Sequence, residues 1–402
     1  MHKQVYLAGL LVAASILACS LPAGGSTPEP TFLNPESPLP TDTPSAPPDE
    51  SPTEAPPEAL SVLPAALYYL NNDTGGRLQI FRLDPDGLTV RQLTSEPVEI
   101  RMYDVSPLDG RLAYIVNNQL ILMNADGSDR TVLVDGGLLE SDLSYITNSL
   151  SHPRFSPDGR TLAYGMNGVN LYDLASGTSV NVLTNIPRVG EGFIIIEEGY
   201  SPEEFSPDGS KLLVNVFYYE AGTLGFYDLA SGAFIKLSRP EGGLLCCNSQ
   251  WTSDGSAVYV ASSVIGMVEP GMWRFNAADG SALTLLPPTN SDGSFNFADY
   301  PLLPADGQLR FFFANLPTIP EGRTPLMLNQ SAPDAVTGRM LIYPETFSAM
   351  NEALWSPDGS QIVVVEGTDA NMWYGGAATL YTLSGGAPVP LVPFAQELRW
   401  GP

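Results

Sequence analysis

Short apolar runs recur along the chain from about residue 65 onward, and turn-forming sequences separate each run from the next. The runs are rich in branched aliphatic and aromatic side chains, as at 161–164 (Thr-Leu-Ala-Tyr), 211–214 (Lys-Leu-Leu-Val) and 361–365 (Gln-Ile-Val-Val-Val). Runs of this length and composition, bounded by turn residues, favour β-strands over helices. The pattern therefore predicts an all-β protein.

One turn sequence stands before these runs in a constant form, Ser-Pro-Asp-Gly, at 156–159, 206–209 and 356–359. Weaker copies of it end at Gly110, Gly255 and Gly307. Proline supplies the φ angle that a type I turn requires, Ser and Asp bond nearby backbone N–H groups, and glycine adopts the left-handed conformation that follows. Each copy therefore predicts a hairpin turn between two strands.

The glycines of these turns are separated by 49, 50, 46, 52 and 52 residues, which is the regular period of a repeat architecture. A second turn signal follows about twenty residues later in each unit, as in Tyr-Asp-Leu-Ala-Ser-Gly at 172–177 and 227–232. Two hairpins in each period give four short antiparallel strands, which is the content of one β-propeller blade.

The number of turns predicts the number of blades. The second turn occurs seven times and the first occurs six times, and Trp-Gly-Pro at 400–402 aligns with Trp-Ser-Pro at 355–357 as the missing copy. We therefore predict a β-propeller over residues 65–402 with seven four-stranded blades, in which the last strand completes the first blade. Six or eight blades fit the count less well. Closure of this kind leaves no sheet edge open.

The repeats resemble those of TolB-like propellers, whose WD40-like blades carry Ser-Pro-Asp-Gly before an aliphatic strand in bacterial envelope proteins. The resemblance covers essentially all of residues 65–402 and implies the fold. It implies no activity, because the same blade occurs in stand-alone scaffolds and in the propellers of prolyl peptidases. TolB itself has six blades and an extra domain, and this sequence shows neither feature, so no TolB partner is carried over.

The aspartates of the turns are directly followed by glycine, at Asp158, Asp208 and Asp358. A sialidase Asp-box has one residue between its aspartate and its glycine, so these turns are of another kind. We expect the three aspartates to stabilise hairpin turns rather than to bind metal or to catalyse a reaction.

The start of the chain has the features of an export signal, namely a basic start, an apolar run at 5–17 and then Ala18 and Cys19. The run is too short to span a bilayer comfortably. The sequence Ile-Leu-Ala-Cys at 16–19 resembles the lipobox of bacterial lipoproteins, which implies a signal peptide at 1–18 and a lipid on Cys19. The alternative is an ordinary signal peptide with an incidental cysteine. We expect an exported protein, anchored to the membrane as a lipoprotein on its periplasmic or extracellular face.

The segment that follows Cys19 has an unusual composition. Residues 21–60 contain twelve prolines and seven acidic residues but no basic residue. Such a segment cannot bury enough apolar surface to offset the entropy lost on ordering. We therefore predict that residues 19–60 form a disordered tether, rich in Pro, Ser, Thr and Glu, between the anchor and the propeller.

The composition excludes several functions. With 44 acidic and 18 basic residues the net charge is -26, which disfavours binding to nucleic acid. There are two histidines, of which only His152 lies outside the leader, and no Gly-Xaa-Ser-Xaa-Gly sequence, so triad and multi-histidine zinc sites are disfavoured. No cofactor or metal motif is present. We expect His152 to be a hydrogen-bonded loop residue.

Binding residues are expected where the loops that enter the inner strands are longest, on the face opposite the Ser-Pro-Asp-Gly turns. The two longest loops, 135–154 and 186–204, enter adjacent blades and should be neighbours in space. Shorter connections at 261–271, 314–323 and 366–378 should lie on the same face. The candidate binding residues on this rim are Glu197, Glu198, Tyr200, Trp373 and Tyr374. The alternative for 194–196 (Ile-Ile-Ile) is an extra strand or a core plug.

Two functions remain open at this stage. The first is a non-catalytic, lipid-anchored propeller that binds a protein or a cell-envelope polymer through its loop-rich face. The second is a propeller-type hydrolase or lactonase with a metal-assisted site in the central channel, which clustered inward-facing carboxylates would favour. The adjacent Cys246 and Cys247 are predicted to be buried or locally oxidised, because no further soft ligand is available for a metal.

Overall fold

The computed structural model describes residues 61–190, 193–218, 222–245, 248–266, 268–368 and 374–402. Within these ranges the chain forms twenty-eight β-strands and one short helix, which confirms the all-β prediction. The signal peptide, Cys19, the tether, Cys246, Cys247 and Trp373 lie outside the described residues. The predictions made for them, and the predicted domain limits, stay predictions.

The first half of the described chain contains the helix and thirteen strands. They are β1 (Leu67–Asn72), β2 (Leu78–Leu83), β3 (Val90–Gln92), β4 (Tyr103–Val105), β5 (Leu112–Val116), β6 (Gln119–Met123), β7 (Thr131–Asp135), α1 (Asp142–Asn148), β8 (Ser151–Phe155), β9 (Thr161–Gly165), β10 (Gly168–Asp173), β11 (Thr178–Thr184), β12 (Ile186–Gly190) and β13 (Phe193–Phe205).

The second half contains fifteen further strands. They are β14 (Lys211–Phe217), β15 (Gly222–Asp228), β16 (Phe234–Lys236), β17 (Asn248–Trp251), β18 (Ala257–Ser262), β19 (Gly271–Asn276), β20 (Ala282–Leu286), β21 (Phe295–Leu302), β22 (Leu309–Leu316), β23 (Leu326–Ser331), β24 (Met340–Phe347), β25 (Met350–Trp355), β26 (Gln361–Glu366), β27 (Gly376–Thr382) and β28 (Val389–Trp400).

The strands pair in sequence order as antiparallel meanders. Four sheets have four strands each, β4–β7, β8–β11, β17–β20 and β21–β24, and a fifth sheet has the five strands β12–β16. The remaining sheet has seven strands in the order β25-β26-β27-β28-β1-β2-β3, so it joins the two ends of the described chain. This repetition of four-stranded sheets is what the two turns in each period predict.

Burial changes regularly across each sheet. All six residues of β18 and the first six residues of β22, which are second strands, are buried. The outer strand β3 is exposed throughout, and β7 contains no buried residue. A strand covered on both faces has a continuous apolar sequence, and this explains the unbroken apolar run at 362–365 (Ile-Val-Val-Val) in β26.

The long last strand belongs to two sets of strands. Its first part pairs with β27, through Leu380 opposite Val389, and its last part pairs with β1, through Leu67 opposite Trp400. The Trp400 indole also donates a hydrogen bond of 2.6 Å to the Trp355 carbonyl. The predicted pairing of the C-terminal strand with the first strand is therefore confirmed.

Hydrophobic clusters connect these strand sets into a closed series. The described residues contain seven clusters of buried side chains. Six of them lie between strand sets that follow one another along the chain, and the seventh joins the first set to the last. This seventh cluster packs Tyr69 and Leu83, from the first strands, against Val365 and Leu398, from the last strands. The closed series supports the count of seven blades, which stays a prediction.

The Ser-Pro-Asp-Gly turns have the expected hairpin geometry. Ser156 Oγ donates to Asp158 Oδ1 (2.6 Å) and accepts the backbone N–H of Thr161 (2.9 Å), and Gly159 has a φ of 64°. The turns that begin at Ser206 and Ser356 repeat both bonds. The hydrogen bond from Ser156, followed by that from the Arg160 backbone N–H, lowers the pKa of Asp158. The turn aspartates are therefore engaged within the turns, as predicted.

The helical content is small. Helix α1 has seven residues, and no helix in the described ranges is long and apolar enough to cross a membrane.

Candidate functional site

Two insertions extend the loop-rich face, which we define as the face opposite the Ser-Pro-Asp-Gly turns. The first is α1, between β7 and β8. It begins with a capping box, in which Ser141 Oγ accepts the Ser144 backbone N–H (3.2 Å) and Ser144 Oγ accepts the Ser141 backbone N–H (2.9 Å). The second is a hairpin of β12 and the first part of β13, which we call the β12–β13 hairpin.

The β12–β13 hairpin continues directly into the sheet that follows it. Arg188 lies opposite Ile195 within the hairpin, and Tyr200, further along β13, lies opposite Val216 of β14. Residues 194–196 are thus an extra strand with half-buried side chains, which is the alternative that the sequence left open. This hairpin lies outside the four-stranded repeat.

The two insertions are neighbours, as their positions in the sequence predict. Helix α1 contacts β13, and a cavity of about 200 Å³ lies where they meet. Tyr145 and Ile146 of α1 and Ile196 and Tyr200 of β13 line this cavity. The two long loops therefore form one continuous part of the loop-rich face.

Several large apolar side chains in these insertions face solvent. Leu138 is 78% exposed, Tyr145 is 59% exposed and Ile186 is 48% exposed. An exposed apolar side chain lacks the free energy that burial would provide. We call Leu138, Leu143, Tyr145 and Ile186 the apolar rim.

The described candidate residues divide into two groups. Tyr200 is buried, its hydroxyl donates to the Glu198 carboxylate, and its ring meets Phe234 edge-on with centroids 5.6 Å apart. Glu198 also forms an ion pair of 2.5 Å with Lys236. Both residues therefore hold β13 to β16, whereas Glu197 and Tyr374 are exposed on the rim.

The pKa of Glu198 reflects these contacts. Partial burial acts to raise it, but the hydrogen bonds from Lys236 and Tyr200 outweigh burial and lower the pKa below its ordinary value. Burial and the hydrogen bond to Glu198 in turn raise the pKa of Tyr200. Glu198 is therefore an ionised partner of Lys236 within the fold.

The inner strands of several sheets carry β-bulges next to polar residues. Register shifts occur between Ser151 and Arg154 in β8 and between Asp299 and Leu302 in β21. A residue with positive φ lies at each of these two shifts, namely His152 (48°) and Tyr300 (46°). A third, Glu397 (55°), lies in β28 opposite the register shift between Tyr68 and Leu70 of β1. Such angles are uncommon outside glycine, and bulges redirect side chains from the regular alternation. The side chains of all three residues line cavities.

The inner strands β4, β8, β13 and β28 enclose a cavity of about 310 Å³, which we call the channel cavity. It is lined by Arg101, Met102, Tyr103, His152, Arg154, Glu203, Glu397 and Arg399. Hydrogen bonds between neighbouring inner strands hold its walls. Tyr103 Oη donates to the Glu397 carbonyl (2.6 Å), and Arg154 Nε donates to the Glu203 carbonyl (2.5 Å).

Two carboxyl groups beside the channel cavity have raised pKa values. Burial, followed by the charge of Glu203, raises the pKa of Glu204 to about 8. Burial, followed by the charge of Glu397, raises the pKa of Glu352 to about 7. Arg399 acts in the opposite direction on both groups, but it does not outweigh burial. Carboxyls that titrate near neutral pH can exchange protons under physiological conditions.

His152 differs from the prediction made for it. It belongs to β8 rather than to the preceding loop, and its Nδ1 is buried without a hydrogen-bond partner. Its backbone N–H contacts the Met102 sulfur (3.4 Å). Burial is the main reason why the pKa of His152 lies below its ordinary value.

Sequence reasoning missed the charged residues of the inner strands. They lie one to three positions before the last residue of the inner strand, as Arg154, Glu204, Glu352 and Arg399 do. A charged residue near the end of the inner strand in several repeats is the sequence signal that could have indicated these residues. The grouping itself could not be seen, because it depends on the ring arrangement of distant strands. Among the described residues, no group of three or more His, Cys, Asp or Glu side chains is placed to hold a metal ion.

Sequence comparisons identify no relatives. No family model matches the chain, and no curated protein matches it in sequence.

Solved structures with similar folds are numerous. A puromycin hydrolase mutant in complex with a ligand has a TM-score of 0.55 and 12% identity, with 83% of this chain and 52% of that chain covered. An oligogalacturonate lyase in complex with manganese has a TM-score of 0.52 and 13% identity, with 81% and 84% covered. TolB from Acinetobacter baumannii has a TM-score of 0.42 and 15% identity, with 84% and 82% covered.

At sequence identities this low, a structural similarity gives information about the fold alone. The repeated four-stranded sheets and the likeness to the hydrolase and the lyase show that the chain has a β-propeller fold, and TolB proteins are among the structures that it resembles.

Proposed function

We propose that this protein is an exported, lipid-anchored β-propeller that binds a protein or a cell-envelope polymer through its loop-rich face, without catalysis. The apolar rim carries this proposal. Leu138, Leu143, Tyr145 and Ile186 lie in insertions that the four-stranded repeat does not require, and all four are exposed. Insertions on one face of a repeat fold commonly form its binding surface.

The surroundings of the apolar rim fit a protein interface. Exposed aromatic and aliphatic side chains provide the buried contacts of such interfaces, and polar residues surround them. Glu197 is exposed on the neighbouring β13, and the chain as a whole carries a net charge of -26. A partner with a neutral or basic surface would therefore be favoured over an acidic one.

The rim can be tested without altering the fold. The variant Leu138→Ser/Tyr145→Ser/Ile186→Ser changes three exposed side chains, and Leu108→Ser is a matched control. Leu108 is 60% exposed and lies in the turn between β4 and β5, on the opposite face. Both variants should keep the thermal stability of the wild type, because surface substitutions change it little.

The assay is a pull-down from an envelope extract of the source cells. We expect the wild type and Leu108→Ser to recover the same partner, and the triple variant to lose it. Equal recovery by the triple variant would place the binding surface elsewhere. Recovery that depends on Leu108 would place it on the face of the turns.

The channel cavity favours a second candidate, a hydrolase or lactonase that acts from the channel. Glu204 and Glu352 have pKa values near neutrality, which is a property of general acids and bases. Screening of the wild type against ester and lactone substrates, with Glu204→Gln and Glu352→Gln as variants, tests it. Turnover that either variant abolishes would favour this candidate over the non-catalytic one.

A further inference from the structure

A cavity of about 410 Å³ lies on the loop-rich face, away from α1 and the β12–β13 hairpin. The loops between β18 and β19 and between β22 and β23 form part of its wall. The inner strands β17, β21 and β25 form another part, together with Leu326 of β23 and Phe347 of β24. We call it the Asp299 cavity. Its volume falls within the range of roughly 300–1,000 Å³ that small-molecule sites occupy.

Part of the wall of the Asp299 cavity is apolar, and polar residues such as Asn248, Thr324 and Ser348 form other parts. Leu326 and Phe347 are buried, at 3% and 1% exposure, and belong to the hydrophobic core of this region. Val264 and Ile319 also line the cavity but are about half exposed, so they lie near its opening. Such a surface would contact the apolar body of a ligand and shield it from water.

One carboxylate lies among these walls. Asp299 is 7% exposed and accepts hydrogen bonds from Ser263 Oγ (2.6 Å), the Asn248 side-chain amide and the Tyr300 backbone N–H (3.1 Å). All three donors are neutral, and no cationic side chain in the described ranges forms an ion pair with Asp299. A buried carboxylate without a counter-charge is unfavourable, and a cation beside it removes much of this cost.

The cation in the cavity wall is engaged elsewhere. Arg323 donates to the Met350 carbonyl (2.8 Å) and to the Asn351 side chain. It is not among the groups that shift the pKa of Asp299, so the guanidinium does not provide the missing charge. Burial raises the pKa of Asp299 to about 6 against the opposing effect of its three donors, so the carboxyl is mainly ionised at pH 7.5.

We propose that the Asp299 cavity binds an amphipathic primary amine, whose ammonium group pairs with Asp299 and whose aromatic or branched aliphatic body packs on Val264 and Ile319. The carboxylate supplies charge and direction, and the apolar wall supplies contact area. This site is separate from the apolar rim, and the proposal does not depend on the partner proposed above.

The test is isothermal titration calorimetry of the full chain at pH 7.5 and low salt with 2-phenylethylamine. The matched neutral probe is 2-phenylethanol, which keeps the aromatic body and lacks the charge. We expect the amine to bind at least tenfold more tightly than the alcohol, because a hydrogen bond to a charged partner is worth about this factor or more. Equal affinities for the two probes, or no heat from the amine, would overturn the proposal.

Two variants and a control locate the site. Asp299→Asn keeps the shape and removes the charge, and should weaken amine binding at least tenfold. Ile319→Ser, at the opening, should weaken both probes by a similar factor of about three. Asp126→Asn is the control, because Asp126 is an exposed acid in the turn between β6 and β7. If Asp299→Asn does not fold, Ile319→Ser and the comparison of probes on the wild type decide. Unchanged amine binding in a folded Asp299→Asn, or in Ile319→Ser, would place the amine elsewhere.

Discussion

The side chain of Leu398 provides the sharpest test of ring closure. This side chain is fully buried in the cluster that joins the last strands to the first, together with Leu67, Val363 and Leu380. The backbone N–H of Leu398 donates a hydrogen bond of 2.6 Å to the Glu352 carboxylate, and a change of side chain leaves this bond in place. Leu398→Ala therefore removes apolar contacts at the junction and little else.

The cost can be worked out from this burial. Removing a fully buried leucine side chain beyond its Cβ typically costs 2–5 kcal/mol, through lost transfer free energy and the cavity left behind. We expect about 3 kcal/mol for Leu398→Ala, since the cluster has walls from two sets of paired strands and cannot collapse easily. Val389→Ala is the matched control, because Val389 lies on the same strand but is 42% exposed. It should cost less than about 0.5 kcal/mol.

Chemical unfolding followed by tryptophan fluorescence measures both variants. The midpoint for Leu398→Ala should fall with an unchanged m-value, while Val389→Ala stays close to the wild type. Deletion of residues 395–402 should be far more damaging, because it also removes the pairing of Trp400 with Leu67 and exposes a strand edge. If Leu398→Ala unfolds like Val389→Ala, or if the deletion leaves the melting temperature unchanged, the closure by β28 does not hold the fold together.

Three further predictions concern other parts of the chain. Cys19→Ala should move the protein from the membrane fraction to the soluble fraction, and identical fractionation of wild type and variant would reject the lipid anchor. Ser156→Ala removes both turn bonds of Ser156 and should cost about 1–2 kcal/mol in chemical unfolding. The pKa of Glu204 is about 8 in the folded state, against an ordinary value of 4.5. At pH values between these two, Glu204 is therefore protonated in the folded state and ionised in the unfolded state. The free energy of unfolding should therefore fall as the pH rises from 5 to 8. In Glu204→Gln this decrease should be smaller by about 2 kcal/mol, a value that allows for the water that reaches this partly exposed side chain. An identical pH dependence in Glu204→Gln would contradict the raised pKa.

Much of the fold could be predicted because its determinants are local. A Ser-Pro-Asp-Gly turn forms from four consecutive residues, and the bonds of Ser156 and Asp158 join only their near neighbours. The period of the turns then predicts how often the strands repeat. The proximity of α1 and the β12–β13 hairpin also followed, because loops that enter adjacent blades at the same end of the strands must be neighbours.

The sites depend on features that a single sequence conceals. His152, Tyr300 and Glu397 lie at register shifts or positive φ angles, and nothing in the local sequence shows where a strand will bulge. The Asp299 cavity combines Asn248, Ser263 and Asp299 from separate strands and loops. Tyr200 and Glu198 looked like rim residues because they lie in a long loop, yet the hairpin turns Tyr200 inward onto Phe234.

Photocrosslinking in living cells tests most directly whether the loop-rich face is the binding surface. A photoreactive phenylalanine analogue would replace Tyr145 in one strain and Leu108 in another, since both side chains are well exposed and lie on opposite faces. We expect a discrete crosslinked adduct from position 145 and none from position 108. Adducts from position 108 alone, or the same adducts from both positions, would show that the loop-rich face is not the binding surface.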